Sequence, residues 1–217
     1  MKEYKLTAEK TARYFTLGKL DDTTKSIWIV IHGYGQLAKY FLNKFKCLNN
    51  GSMFVAAPEA LSKFYLKGFS GRVGATWMTK EARETEIADN IKYLQSFYDE
   101  ITKGKELGNC QINVLGFSQG TKTASRWILN SNIKIDNLIL WGGSLPPDTD
   151  FEFHKERLAS FKLHLVIGNE DEFITDSDVK NGMKFLNNKN VKYLFHPYNG
   201  KHDIDIKAIF ALINSLK

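Results

Sequence analysis

The chain has 217 residues, of which 43% are hydrophobic and 25% are charged. This length suits one α/β domain spanning residues 1–217, and the composition excludes a largely disordered or low-complexity protein. The net charge of +6 comes from scattered lysines, whereas nucleic-acid binders gather theirs into a stripe with interleaved aromatics. We therefore expect a solvated basic surface and no nucleic-acid partner. Attraction to a membrane surface stays open.

The ends of the chain and its cysteines indicate a cytoplasmic protein. Met1 to Lys5 is a charged segment with no apolar segment behind it, so no signal peptide is expected. No apolar run is long enough to span a bilayer. Cys47 and Cys110 lack both CxxC spacing and nearby histidines, so we expect reduced thiols and no metal site.

Apolar, β-branched segments alternate with helical patterns along the chain. Strands are predicted over 13–17, 26–31, 53–57, 112–117, 137–141, 161–168 and 191–196, and helices over 37–48, 80–103, 121–129, 176–187 and 203–216. The predicted helix 80–103 has Thr79 as its expected N-cap. The segment before this helix, 59–79, is predicted as an irregular aromatic loop. Buried strands alternating with helices predict a mostly parallel twisted sheet with helices on both faces.

The segment Gly116-Phe117-Ser118-Gln119-Gly120 lies between a predicted strand and a predicted helix. In that context the G-x-S-x-G pattern predicts a nucleophile elbow, with a strained serine at the apex of a sharp turn. The two glycines allow the strand and the helix to approach each other closely. The alternative is a tight turn in which Ser118 only caps the following helix.

A serine nucleophile requires a base, and in this type of sheet the chain order is serine, acid, histidine at the carboxyl ends of strands. His164 and His196 lie within strands, His154 is in a charged segment, and His32 precedes the serine. His32 is expected to support its own turn by hydrogen bonding. His202 follows the last predicted strand and is therefore the expected base.

The orienting acid should follow the strand before that histidine. Glu170, Asp171 and Glu172 all follow the predicted strand 161–168, and spacing alone does not choose among them. Two backbone N–H groups should stabilise the oxyanion. One is expected from Gln119 at the helix N-terminus, and the other from Tyr34 in the glycine-rich turn after strand 26–31.

Together these segments resemble the α/β-hydrolase superfamily, and within it the phospholipase/carboxylesterase family that includes the acyl-protein thioesterases. The resemblance covers nearly the whole chain, and Gly-Phe-Ser-Gln-Gly is its most specific part. The matching features are His32-Gly33-x-Gly35, Pro58, Trp77 before the long helix, Gly-Phe-Ser118-Gln-Gly, Gly168-x-x-Asp171 with Ile174 three residues later, and Gly200-x-His202.

The resemblance implies that Ser118 is the nucleophile, Asp171 the acid and His202 the base, with Tyr34 and Gln119 as oxyanion donors. It also implies hydrolysis of carboxylic esters or thioesters of modest-sized acyl groups, without a metal or other cofactor. The expected partner is thus a small-molecule acyl ester or thioester. An oligomeric state does not follow from these residues.

Two departures from the family pattern concern the substrate more than the reaction. Lys201 stands where the family commonly has glycine, and the segment 64–74 is distinctive. Trp77 and Met78 suggest that the aromatic loop lines an apolar acyl pocket, although it could equally be a packed flap. Two alternative functions are a lysophospholipase or lipase acting at membrane surfaces, and a non-catalytic binding protein with the same fold.

Overall fold

The computed structural model describes residues 1–216. Six helices and nine strands are present in this part of the chain. The helices are α1 (Ala38–Leu42), α2 (Arg83–Thr102), α3 (Gln119–Leu129), α4 (Lys155–Ala159), α5 (Asp176–Asn188) and α6 (Ile206–Ser215). The strands are β1 (Tyr14–Leu17), β2 (Ser26–Ile31), β3 (Met53–Pro58), β4 (Ser62–Tyr65), β5 (Val73–Thr76), β6 (Gln111–Phe117), β7 (Asn137–Trp141), β8 (Lys162–Gly168) and β9 (Leu194–Tyr198).

Seven of these strands form one sheet in the order β1-β3-β2-β6-β7-β8-β9. Strand β1 is antiparallel to β3, and all other neighbours in this sheet are parallel. Every residue of β2 and of β7 is buried, as is typical of strands covered on both faces. The expected mostly parallel sheet with helices on both faces is therefore confirmed.

Helices pack against both faces of the sheet and close two apolar cores. On one face, Trp127 and Ile128 of α3 are completely buried against strand residues such as Leu140. On the other face, Phe41 of α1 and Ile209 of α6 have the same role. Full burial of such a side chain contributes about 1.5–3 kcal/mol relative to exposure, so these layers hold the sheet rigid.

The strand order reverses between β2 and β6. The chain runs outward from β2 to β3 on one side and then returns to place β6 on the other side of β2. Ligands of open α/β sheets bind at the carboxyl ends of the strands at such a switch point. Here that point lies between Ile31, where β2 ends, and Phe117, where β6 ends.

Four predicted elements differ in the structure, and in addition the closing helix α6 begins at Ile206, three residues later than predicted. The segment 59–79 forms an antiparallel hairpin of β4 and β5 in place of an irregular loop. The long helix begins at Arg83, because Ala82 adopts a left-handed conformation (φ 46°), and Thr79 instead donates its backbone N–H to Glu86 Oε2 at 2.7 Å.

The other two differences concern the first helix and the last strand. The predicted helix over 37–48 divides into α1 and a 3-10 turn, Asn43–Leu48. The last strand, β9, is displaced to Leu194–Tyr198 and includes Pro197. Proline is tolerated there because β9 is an edge strand, where one side of the backbone needs no ladder partner.

No helix among residues 1–216 combines the length and the apolar character that crossing a bilayer requires.

Candidate active site

Ser118 lies at the apex of the turn between β6 and α3 and has a strained backbone. Its φ of 54° and ψ of −118° are rare for a residue with a side chain. The conformation is held by the Ser118 N–H, which donates to Trp141 O at 2.9 Å, and by Thr121 Oγ1, which donates to Ser118 O at 2.7 Å. The Ser118 side chain makes no capping hydrogen bond to α3, which argues against the helix-cap alternative.

Two glycines allow this sharp turn by removing side chains where backbones meet. A Cβ on Gly116 would lie 2.4 Å from Gly120 O, and a Cβ on Gly120 would lie 2.3 Å from Ile31 O. Both distances are far below van der Waals contact. The strand, the turn and the helix can therefore pack this closely only with glycine at both positions.

The His202 imidazole is bound to a buried carboxylate. His202 Nδ1 lies 2.6 Å from Asp171 Oδ2, and the Asp171 side chain is only 1% exposed. Asp171 Oδ1 accepts hydrogen bonds from the N–H groups of Phe173 and Ile174, at 2.9 and 3.1 Å. These bonds fix the position of the carboxylate. Because His202 Nδ1 is bound to it, Nε2 is the ring nitrogen that remains available to interact with another group.

Of the three consecutive acids, only Asp171 contacts the imidazole ring in the described chain. Glu172 Oε2 accepts from the His202 backbone N–H at 3.3 Å, and both Glu170 and Glu172 are solvent-exposed. The turn itself is pinned across strands, because Glu170 N–H donates to Gly200 O at 2.9 Å. This contact brings the loop after β8 against the loop that carries His202.

Ser118 and His202 line the same cavity. The ring of Phe117, next to the serine, lies 5.0 Å from the His202 ring, and a Cβ on Gly142 would come within 2.9 Å of His202 Cε1. No direct hydrogen bond joins Ser118 Oγ to His202 in residues 1–216. Such contacts are often long before substrate binds.

The backbone N–H groups of Tyr34 and Gln119 have no acceptor in the described part of the chain. A Cβ on Gly33 would lie 3.2 Å from Ser118 Cβ, so the loop after β2 runs directly alongside the serine. Gln119 is the first residue of α3, where N–H groups point out of the helix and the dipole favours negative charge.

The Gln119 side chain ties this site to the end of β5. Its Oε1 accepts from Trp77 N–H at 3.1 Å, while its Nε2 donates to Met78 O at 2.9 Å and to Thr76 Oγ1 at 3.0 Å. One amide thus satisfies three polar groups of the segment 76–78. The position of Met78 at the cavity therefore depends on Gln119.

The expectation that Trp77 lines a substrate pocket is wrong. Trp77 is 1% exposed and belongs to the core, where its ring N–H donates to His32 O at 2.8 Å and its ring stacks on Tyr93. Trp77 therefore supports the turn after β2 from the side of the core. Within the segment 59–79, Met78 is the residue that reaches the cavity.

The cavity has a volume of about 790 Å3, within the usual range for small-molecule sites. It extends from Ser118 away from the aromatic hairpin and toward α5. Polar groups lie next to the serine and, as Asp178 and Asn181, on α5. The remaining wall is apolar and includes Leu145, Leu165, Ile167, Phe173, Ile174, Val179, Met183, Phe185, Leu186 and Phe195.

Phe173 is a site residue that the sequence patterns did not indicate. Its ring is 72% exposed and meets the His202 ring edge-on, with centroids 4.8 Å apart. This combination is unusual, because a large apolar side chain is here both exposed to solvent and in contact with an imidazole ring. Between Asp171 and α5 in the chain, Phe173 lines the cavity together with His202.

The other histidines have structural contacts. His32 is fully buried, with Nδ1 2.8 Å from Gly33 O and Nε2 accepting from Ala60 N–H at 3.1 Å, so it supports its turn as expected. Burial lowers the pKa of His32 to about 4, which keeps it neutral. His164 and His196 bond to each other at 3.0 Å. No group of three or more His, Cys, Asp or Glu side chains within residues 1–216 could hold a metal ion.

A strained serine after the central strand of a mostly parallel sheet, with a histidine–carboxylate pair at neighbouring strand ends, defines the α/β-hydrolase fold and its usual site. The chain belongs to the phospholipase/carboxylesterase family, whose sequence model matches residues 15–217. This is a family of esterase-type hydrolases. No curated protein sequence gives a significant match.

Solved structures support the same fold. The chain is similar to acyl-protein thioesterase 2 from Zea mays, with 17% identity, 95% of this chain and 98% of that chain covered, and a TM-score of 0.67. It is similar to a Bacillus cereus carboxylesterase, with 14% identity, 94% and 93% covered, and a TM-score of 0.66. A phospholipase/carboxylesterase from Dyadobacter fermentans gives 19% identity, 97% and 98% covered, and a TM-score of 0.61.

Proposed function

We propose that this protein hydrolyses carboxylic esters or thioesters through an acyl-enzyme on Ser118. The observation that carries the proposal is the pairing at one cavity of a strained serine, free of capping bonds, with a histidine held by a buried carboxylate. A serine hydroxyl is a weak nucleophile, and an oriented imidazole is the group that activates it near neutral pH.

In this mechanism His202 Nε2 takes the proton of Ser118 Oγ while Oγ bonds to the substrate carbonyl carbon. The N–H groups of Tyr34 and Gln119 bind the developing oxyanion, and Asp171 stabilises the imidazolium. When the tetrahedral intermediate collapses, the bond to the leaving oxygen or sulfur breaks and His202 protonates that atom. A water molecule then repeats the two steps, releasing the acid and restoring the serine.

The mostly apolar cavity supports an acyl chain as the part of the substrate that is bound away from solvent. Polar groups such as Gln119 and Thr121 lie next to Ser118, whereas the wall toward α5 is mostly aliphatic and aromatic, with Asp178 and Asn181 as polar members on α5. An apolar wall favours burial of methylenes by about 0.8 kcal/mol each. The substrate class proposed is therefore an acyl ester or thioester.

The test compares Ser118→Ala with Ser144→Ala, because Ser144 is a second hydroxyl at the same cavity. The two variants and the wild-type protein are each incubated with a fluorophosphonate probe and, separately, with a nitrophenyl acyl ester. We expect Ser118→Ala to lose labelling and to lose activity by several orders of magnitude, and Ser144→Ala to keep both. Unlabelled, inactive wild-type protein would favour the non-catalytic binding protein instead.

A second candidate function is a lipase or lysophospholipase that acts at membrane surfaces. The loop that joins β4 to β5 favours it, because Phe69 at its tip is 98% exposed and Tyr65 is 49% exposed. Lys67 and Arg72 are exposed beside them. Exposed aromatics flanked by cations suit an interface of apolar chains and anionic headgroups.

This candidate makes a kinetic prediction that the first one does not. A surface-active lipase should hydrolyse a micellar ester faster than the same ester below its micelle concentration, and Phe69→Ser should remove that advantage while leaving the monomer rate unchanged. An equal rate on both forms of the ester would exclude it.

A further inference from the structure

Helix α5 contains a glycine at a position where the fold does not require one. Gly182 lies in the middle of Asp176–Asn188, and its φ is not among the positive values of the chain. Apart from its chain neighbours and the backbone of α5 itself, no heavy atom of the described residues lies within 4 Å of the place where its Cβ would be. A glycine in a helix interior costs about 1 kcal/mol relative to alanine. Neither a turn nor a close backbone contact accounts for that cost here.

The open space beside Gly182 belongs to the cavity. Gly182 lines it together with its helix neighbours Val179 and Met183, while Leu165 and Phe195 line it from the sheet. Of the described residues of α5, only Leu186 is fully buried, so the helix stands away from the sheet for most of its length. Val179 and Met183 on the apolar face of α5 thus border the cavity, together with the polar residues Asp178 and Asn181, and Leu186 packs into the core.

The cavity extends along helix α5. Asp178 lines the cavity near the start of α5, and Leu186 lines it near the end. At 1.5 Å per residue these two positions are about 12 Å apart along the helix axis, and Gly182 is midway between them. A chain that enters beside Ser118 and follows α5 toward Leu186 must pass Gly182.

We propose that Gly182 is a specificity-determining residue that admits long, unbranched acyl chains to the far half of the cavity. The proposal rests on the proposed function, since it assumes that the acyl group occupies this cavity. Any side chain at position 182 would occupy the passage between α5 and the sheet. The substrate class is thereby narrowed to esters and thioesters of long-chain carboxylic acids.

The experiment measures kcat/KM for nitrophenyl esters from acetate to palmitate with wild type, Gly182→Leu and a matched control, Lys184→Leu. Lys184 is on the same helix, is exposed and does not line the cavity. We expect Gly182→Leu to lower kcat/KM at least tenfold for the long esters and to leave acetate within about twofold, a difference of about 1.4 kcal/mol or more. Lys184→Leu should keep the wild-type profile.

Two results would overturn the proposal: an unchanged profile in Gly182→Leu, or an equal loss for every ester with an unchanged Tm. Gly182→Met replaces the leucine variant if that does not fold, because methionine adapts to irregular space. A second readout is independent of catalysis, namely calorimetric titration of laurate, below its micelle concentration, into Ser118→Ala and Ser118→Ala/Gly182→Leu.

These readouts distinguish failure of the inference from failure of the proposed function. Laurate binding that is lost only in the double variant supports the role of Gly182 even if the wild-type protein proves inactive on esters. Equal laurate binding by both variants overturns it even if Ser118 proves to be the nucleophile.

Discussion

Asp171 divides its two carboxylate oxygens between two tasks. Oδ2 lies 2.6 Å from His202 Nδ1, while Oδ1 accepts the backbone N–H groups of Phe173 and Ile174. The second set of bonds prevents the carboxylate from rotating away from the imidazole. Since Nδ1 must then carry the proton, Nε2 is left as the acceptor that a serine hydroxyl needs.

Replacing Asp171 by asparagine should therefore lower kcat by about 10^3- to 10^4-fold with little change in fold, because an amide can hold the wrong imidazole tautomer. Steady-state rates on a nitrophenyl ester measure this. Glu170→Gln is the matched control, since Glu170 is exposed and does not touch the His202 ring. A large loss in Glu170→Gln and none in Asp171→Asn would move the role of the acid to Glu170.

The strained backbone of Ser118 leads to a prediction in which stability and activity change in opposite directions. A residue with a side chain at φ 54° and ψ −118° costs about 1–3 kcal/mol, and glycine avoids most of that cost. Ser118→Gly should therefore be inactive yet melt about 2–4 °C higher than wild type, corresponding to about 1 kcal/mol. Ser118→Ala, which keeps the strain, should show no such rise. Equal Tm values for the two variants would contradict the strain argument.

The side-chain amide of Gln119 should stabilise the protein independently of any catalytic role of the Gln119 backbone N–H. Gln119→Leu leaves Trp77 N–H and Met78 O without their partner, which costs about 1–3 kcal/mol. We expect a lower free energy of unfolding in urea together with reduced esterase activity, because Met78 loses its anchor. Gln119→Glu should be intermediate, since it can still accept from Trp77.

The control for that experiment is Gln95→Leu. Gln95 is on α2, and among residues 1–216 its amide bonds only to Asp99, in an exposed contact. Its replacement should change the free energy of unfolding by less than about 0.5 kcal/mol. A comparable loss in both variants would show that the Gln119 contacts are not specific.

The parts of the site that could be predicted from the sequence are those specified locally. Ser118 is recognisable because the glycines at 116 and 120 are required by the turn itself. His202 follows from chain order and from its position after a strand. Asp171 does not, because three acids share the same turn and its orientation toward the imidazole depends on cross-strand contacts, such as Glu170 N–H to Gly200 O.

The substrate side of the site could not be predicted for a different reason. Apolar spacing in α5 shows which face points inward, but it carries no information on how far the helix stands from the sheet. Val179 and Met183 would show the same pattern against a packed core. The aromatic composition of the segment 59–79 also leaves open whether Trp77 lines a pocket or packs inside the protein, and its bond to His32 O holds it in the core.

A buried pair of histidines leads to a prediction about acid stability. His164 is fully buried, with Nε2 bonded to Asn137 Oδ1 at 2.9 Å and Nδ1 bonded to His196 Nε2 at 3.0 Å. Because Asn137 Oδ1 accepts, His164 Nε2 carries the proton and Nδ1 accepts from His196. A second proton on His164 would therefore face another N–H group, and the ring would also be charged in an apolar environment.

Burial, together with the neighbouring His196, lowers the pKa of His164 to about 4, whereas an unfolded histidine has a pKa of about 6.5. The folded protein thus binds fewer protons than the unfolded chain between these values. The contribution of His164 to stability is complete above pH 6.5 and is lost as the pH falls toward 4. Urea unfolding at pH 7 and pH 5 should show a lower free energy at pH 5. His164→Gln, which can still donate to Asn137, should reduce that difference in free energy. Part of the difference should persist in this variant, because the pKa of His32 is also lowered to about 4. An identical pH dependence in wild type and His164→Gln would show that the buried pair does not control acid stability.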